Sequence, residues 1–322
     1  MRRRDDVSEL VETACGDGPG LRKARAVARL ISLVEADSPA LREVAQALAG
    51  RTGRAHVVGL TGSPGVGKST STSALVTALR ARGRTVGVLA VDPSSPFSGG
   101  ALLGDRVRMG EHATDPGVMI RSMASRGHLG GLAAAAPQAL RVLDAAGCDV
   151  IVVETVGVGQ SEVEIAGLAD TSLVLLAPGM GDGIQAAKAG ILEIGDLFCV
   201  NKADRDGATT TRRELRAMLS LSPRPEGAWK PPIVLTVATS GTGVDELVER
   251  IDEHRAHLES SGQGRQRRLA RARREIEAIA LGEVSRRFGH LSGDSRLEGL
   301  AADVLGGRTD PYRAADIVLD QI

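Results

Sequence analysis

The stretch VVGLTGSPGVGKSTSTSALVTAL, residues 57–79, constrains this chain more than any other. It reads as a buried strand, a glycine-rich turn and an amphipathic helix, and the turn matches G-x-x-x-x-G-K-[ST] through Gly62, Gly67, Lys68 and Ser69. Glycines let the backbone curl until successive N–H groups, and the positive end of the helix that follows, point at one phosphate chain. Lys68 then reaches the β- and γ-phosphates, and Ser69 offers its hydroxyl to Mg²⁺. Ser63, Pro64, Gly65 and Val66 fill the turn and Thr70 follows it, so residues 62–70 make up the expected phosphate cradle. Only five lysines stand beside 35 arginines, which makes a lysine at this position informative.

A strand entering such a turn needs partners. From 55 to about 258 short aliphatic runs recur as HVVGL, TVGVLAV, DVIVVE, SLVLLA, LFCVN and PIVLTVA, with GVMIRS at 117–122 as one further strand. Helical segments fall between them at 70–82, 131–146 and 211–220. Nearly continuous apolar runs are what strands covered on both faces require. The reading is therefore an α/β P-loop NTPase domain, a mainly parallel sheet flanked by helices, with ligands at the carboxyl ends of its strands. With aromatics at 2% of residues, the core must be aliphatic.

Helices without strands flank this domain. Residues 1–54 read as a helical N-terminal extension, with an apolar stripe along 21–37 and Ser38–Pro39 as cap and first turn of a further helix ending near Gly50. Residues 259–322 read as a helical C-terminal arm. Its first helix carries the stripe Leu269, Ala272, Ile276, Ile279, Ala280, Val284 and Phe288, and two short helices separated by GGRTDP follow. A long seam with no strands around it has to be buried somewhere, and packing against a second subunit is one way to bury it. The arginines crowding the first half of that helix lack interleaved aromatics and read as a solvated face, not a nucleic-acid site. Forty basic residues balance forty acidic ones, so there is no overall field for nucleic acid or membrane. No apolar span of about 20 residues and no signal segment is present, so a soluble, unprocessed protein is expected. Cys15, Cys148 and Cys199 form no C-x-x-C pair, in keeping with a reducing cytoplasm.

Three acids sit where metal chemistry would need them. Asp92 ends the second strand in VDPSS, Asp105 lies in GGALLGDRVRM, and Glu154 ends CDVIVVE and opens ETVGVGQSE. An acid ending a strand beside a P-loop strand is the Walker B arrangement, and with Ser69 these acids give hard oxygen ligands suited to Mg²⁺. Each alone could equally be a helix cap or a loop carboxylate. Gly157 fits the glycine whose N–H contacts a γ-phosphate. Base choice comes from NKAD, where Asn201, Lys202 and Asp204 follow an apolar strand. A carboxylate there accepts from the N1–H and exocyclic amine of guanine, a donor pair adenine lacks, so GTP is selected over ATP. In VATSGTG, the Ala238 N–H is a candidate contact to guanine O6. Ras-like GTPases carry a water-orienting glutamine after the switch glycine. Here Val158 follows Gly157 and Gln160 lies further on, which predicts slow intrinsic turnover stimulated by a partner.

Through GSPGVGKS (62–69), AVDPSS (90–95), GGALLGDRVRM (99–109), ETVGVGQSEVE (154–164) and NKAD (201–204), the chain resembles the G-protein chaperones of adenosylcobalamin-dependent acyl-CoA mutases, a family once labelled lysine/arginine/ornithine transport ATPases. The resemblance implies a homodimer that binds GTP or GDP with Mg²⁺, attaches to a B12-dependent mutase, and uses hydrolysis to gate cofactor loading and removal of damaged cofactor. It assigns Lys68 and Ser69 to phosphate and Mg²⁺, and Asp92, Asp105 and Glu154 to the metal side. It makes 92–109 and 154–165 nucleotide-sensing switches and APGMGDGIQAAKAG (177–190), with Lys188, a third mobile loop. Val237 departs from the family's usual serine. Two other classes share the P-loop. A kinase would need an acceptor pocket and a base, and would leave NKAD without a role. A nickel-type metal-insertion GTPase would carry histidine tracts, whereas the six histidines here are scattered, His254 and His257 reading as a surface pair.

Overall fold

The computed structural model describes residues 6–17, 20–36, 38–93, 110–125, 131–155, 166–179, 192–221, 225, 227–287 and 295–319. Three helices come first: α1 (Val7–Cys15), α2 (Gly20–Glu35) and α3 (Leu41–Leu48). Asp6 caps α1, its carboxylate accepting the N–H groups of Ser8 and Glu9 at 3.0 and 3.3 Å. Ser38 does not cap α3 as the sequence predicts. Its hydroxyl accepts the Ala40 N–H at 3.2 Å inside a turn, and the helix begins at Leu41.

Strands and helices then alternate: β1 (His56–Thr61), α4 (Lys68–Ala81), β2 (Val86–Pro93), β3 (Val118–Ser125), α5 (Gly131–Ala145), β4 (Val150–Thr155), β5 (Thr171–Leu176), β6 (Leu197–Val200), α6 (Ala208–Ser220), β7 (Ile233–Leu235) and α7 (Val244–Ser260). All seven aliphatic runs form strands of one sheet, ordered β3-β2-β4-β1-β5-β6-β7 with every pairing parallel. The order reverses direction around β1, so the turn after β1 opens at the topological switch point.

Side-chain parity divides the core, as the period of two along a strand demands. Val58, Leu60, Val86, Val88, Val150 and Val152 cluster with Leu75, Val76 and Leu79 of α4 and Leu247, Val248 and Ile251 of α7. Their neighbours Val57, Leu89, Val91, Ile151 and Val153 face the other way, against α1, α2, α3 and α5. The helices before β1 thus complete one face of the sheet. Leu30 and Ile31 of α2 are among the largest fully buried side chains.

Helices α8 (Gln263–Arg287), α9 (Ser295–Leu305) and α10 (Pro311–Leu319) finish the chain, which forms two compact units, residues 1–272 and 273–322. The arginine-rich start of α8 is only in part the solvated face its composition predicts: Arg265 and Arg273 are exposed, whereas three other arginines are engaged. Arg267 grips Asp196 with two bonds of 2.8 Å, while Arg268 reaches Asp170 at 3.2 Å and the Gly53 carbonyl at 2.6 Å. Arg271 adds a contact to Asp170 at 3.4 Å. Aspartates at the amino ends of β5 and β6 therefore consume cations that the sequence alone displays as a basic stripe. Among the described residues no helix is long and apolar enough to cross a membrane.

Candidate functional site

The carboxyl ends of β1, β4, β6 and β7 converge on one polar site. After β1 the chain turns through Gly62, Gly65 and Gly67 with φ of 148°, 82° and 94°, conformations that favour glycine. A Cβ on Gly62 would meet the Leu175 carbonyl oxygen, and one on Gly67 would lie 2.6 Å from Asn201 Nδ2. Val66 anchors the turn in the core, whereas Pro64, Gly65 and Thr70 lie exposed. No side chain caps α4. Its N-terminus after a glycine turn presents backbone N–H groups of the kind that bind anions. The Lys68 ammonium donates to the carbonyls of Gly62 at 2.5 Å and Ser63 at 3.3 Å, which holds it across the turn.

Glu154 lies between β1 and β2, in register with Leu60 and Ala90, and is 5% exposed. Ser69 Oγ donates to its Oε1 at 2.7 Å and Thr72 Oγ1 to its Oε2 at 2.9 Å. A hydroxyl and a buried carboxylate at the mouth of a glycine turn are hard oxygen donors, a set that fits Mg²⁺. Asp92 is placed by its backbone alone, paired with Ala124 at the carboxyl end of β2. Asp105, Gly157, Val158, Gln160 and Lys188 lie outside the described residues.

Asn201 ties three segments together. Its Nδ2 donates to the Val66 carbonyl at 2.9 Å, and its Oδ1 accepts from the Ala238 N–H at 3.1 Å and the Thr236 hydroxyl at 3.2 Å. Lys202 has φ of 58°, rare for a side chain of this size, and its ammonium donates to the Gly65 carbonyl at 2.7 Å. Asp204 stands exposed two residues on. The NKAD segment is thus stitched to the phosphate turn, with its aspartate turned to solvent and the Ala238 N–H already shared with Asn201.

Two features escape sequence reasoning. Thr72 is the first, although KSTSTS places its hydroxyl one helical turn beyond Ser69, on the same face. Ser73, the next residue, donates to Glu111 Oε1 at 2.5 Å and lies 3.0 Å from His112 Nε2. The second feature is a buried polar chain at the opposite, amino end of the sheet. Thr171 Oγ1 bridges His56 Nε2 at 2.8 Å and His254 Nδ1 at 2.7 Å, while His254 Nε2 lies 3.4 Å from Asp196. His254 is no surface residue: it is fully buried, its ring 4.8 Å from that of Trp229. Burial pushes both His56 and His254 down to about 4, against the pull of Asp170 on the first and Asp196 on the second. Burial would raise the Asp170 carboxyl, but Arg271 and Arg268 outweigh it and hold it low. Cys148 and Cys199 are pushed up to about 12 by burial, so neither supplies a thiolate nucleophile.

The chain is similar to known proteins along most of its length. A sequence profile of the family described as methylmalonyl-CoA mutase-associated GTPase MeaB matches residues 27–291. A Pyrococcus horikoshii protein named as a GTPase is 51% identical over 300 residues, 92% of this chain and 94% of that protein. The mouse protein named methylmalonic aciduria type A homolog, mitochondrial, is 35% identical over 311 residues, 91% of this chain and 75% of its own length. A solved structure described as an LAO/AO transport system kinase superposes with a TM-score of 0.72 at 26% identity, covering 99% of this chain and 98% of that one.

Proposed function

The chain belongs to the family of methylmalonyl-CoA mutase-associated GTPases, and from that premise we propose that it is a GTP-hydrolysing chaperone of an adenosylcobalamin-dependent acyl-CoA mutase, gating cofactor loading and protecting or reactivating the enzyme. The observation that carries this reading is the joining of two recognition elements: Asn201 and Lys202 of the guanine motif bond directly to the Val66 and Gly65 carbonyls of the phosphate turn. A base bound at Asp204 and a triphosphate held by residues 62–70 then report to one another through the protein.

The chain's own groups divide the chemistry. Backbone N–H groups of the turn and the Lys68 ammonium hold the phosphates, and Ser69 presents its oxygen beside them while giving its proton to Glu154. Mg²⁺ held beside Ser69 would supply charge neutralisation to the bound triphosphate. Asp92 and Asp105 complete its expected oxygen set. Asp204 accepts from guanine, and Ala238 offers its N–H to O6 by sharing it with Asn201. With Val158 after Gly157, the reading gives slow turnover of GTP until a partner completes the site.

Dimerisation through residues 259–322 belongs to the same proposal. Leu269, Ile276, Ile279 and Val284, the seam of α8, stand 53%, 67%, 47% and 48% exposed in the single chain, which supports a second copy as their cover. The protein acts in the cytoplasm, without nucleic acid or membrane. Capture from a cell extract in the presence of a non-hydrolysable GTP analogue tests the reading, with recovery of a B12-dependent mutase expected. An active GTPase that recovers no mutase would refute the chaperone role, and labelled phosphate passing to a protein or amino acid would establish the kinase reading.

A further inference from the structure

We propose that Thr72 is a positioning residue of the phosphate site, its hydroxyl holding the second oxygen of Glu154 so that the first stays on Ser69. This deepens the reading above, since it takes Ser69 as the Mg²⁺ contact. The Glu154 backbone is fixed on both sides, by Leu60 of β1 and Ala90 of β2. Its side chain is long and its carboxylate torsion broad. The bond from Ser69 at 2.7 Å engages one of its oxygens. The bond from Thr72 at 2.9 Å to the other oxygen fixes its plane.

Where a helical threonine has nothing better to bond, its hydroxyl returns to the carbonyl four residues back. Thr77 on the same helix does this, donating to the Ser73 carbonyl at 3.0 Å. Thr72, fully buried, gives its proton to Glu154 instead. The consequence reaches Ser69. A hydroxyl has one proton and two lone pairs, and a carboxylate held in place as acceptor commits that proton, so that Ser69 meets a cation through its oxygen and not through its O–H. Glu154 thereby acts toward Mg²⁺ through Ser69, and Thr72 acts through Glu154.

The test compares full-length wild type, Thr72→Val and Thr72→Ser by titrating Mg²⁺ against binding of a fluorescent GTP analogue. Loss of such an outer contact lowers metal affinity about tenfold or more, so T72V should need about tenfold more Mg²⁺ while T72S returns to within about threefold of wild type. Mg²⁺-free GDP affinity should stay within about twofold in both variants, because base and phosphate contacts are untouched. A T72V midpoint equal to wild type overturns the proposal, as does a T72S protein as impaired as T72V, which would assign the effect to packing. Wild-type binding that ignores Mg²⁺ would overturn the reading of Ser69 itself, and this is visible before any variant is made.

Discussion

Acid should weaken this fold well before its carboxylates titrate, through His56 and His254. Both are lowered from 6.5 to about 4, chiefly by burial, and they are 3% and 0% exposed. His56 faces Asp170 and Asp252, which favour its charged form, and Arg255 and Arg268, which oppose it. His254 faces Asp196 on one side and Arg267, His56 and His257 on the other. The sign follows from proton counting: between about pH 6.5 and 4 the unfolded chain binds protons that the folded chain refuses, so stability falls as pH falls. From about pH 7 to about pH 5 each histidine costs about 2 kcal/mol, and the pair about 4, a large share of ordinary domain stability. Asp170 does not confuse the window, because its depressed carboxyl withdraws stability only below its ordinary value of 3.8.

The assay is denaturant unfolding without nucleotide at both pH values, at one protein concentration, for wild type and a His56→Gln/His254→Gln variant. Glutamine keeps hydrogen-bonding capacity but does not titrate. The variant should be the less stable at neutral pH, yet lose under about 1 kcal/mol on acidification, where wild type loses about 4. Equal losses in the two proteins would refute the argument.

Three further outcomes follow from the geometry. Lys68→Ala should leave the chain folded but reduce GTP affinity at least about a hundredfold by isothermal titration, since the ammonium held across the phosphate turn is gone; unaltered affinity would remove the basis of the nucleotide reading. Asn201→Ala should lower stability by about 2 kcal/mol and weaken GTP and GDP together, because Val66, Thr236 and Ala238 lose one shared partner; circular dichroism melting and nucleotide titration check the two parts. Asp170→Asn should cost about 3 kcal/mol in denaturant unfolding, as Arg268 and Arg271 lose their charge partner around a side chain 2% exposed.

Legibility in the sequence followed the range over which each signal acts. Strands covered on both faces write themselves as aliphatic runs, and every such run became a strand, down to the three-residue β7. The phosphate turn was legible because its glycines answer local backbone demands: Gly67 has φ of 94° and no room for a side chain beside Asn201. The buried chain at the other end of the sheet was not. His56, Thr171, Asp196 and His254 are separated by up to 115 residues in their direct contacts, and no spacing rule joins them until β1 and β5 pair. The arginines of α8 misled for the same reason, since a cation's partner is invisible when it sits 98 positions away.

Those two networks explain one division of labour in the sheet. At the carboxyl ends the polar groups bond through hydroxyls and backbone carbonyls: Ser69 and Thr72 to Glu154, Lys68 to Gly62, Lys202 to Gly65. The lysine contacts are exchangeable, because an arriving phosphate offers each ammonium an acceptor at least as strong as the carbonyl it leaves. At the amino ends, neutral imidazoles bridged by the buried Thr171 hydroxyl and charge-assisted arginine forks on Asp170 and Asp196 hold the equivalent positions, and moving an arginine or its aspartate leaves a charge uncompensated. β1 connects the two ends, from His56 beside Thr171 to Thr61 before Gly62. One end of the strand is therefore set in place while the other ends in groups free to change partners, the mechanical condition for a loop that responds to what it binds without loosening the sheet behind it.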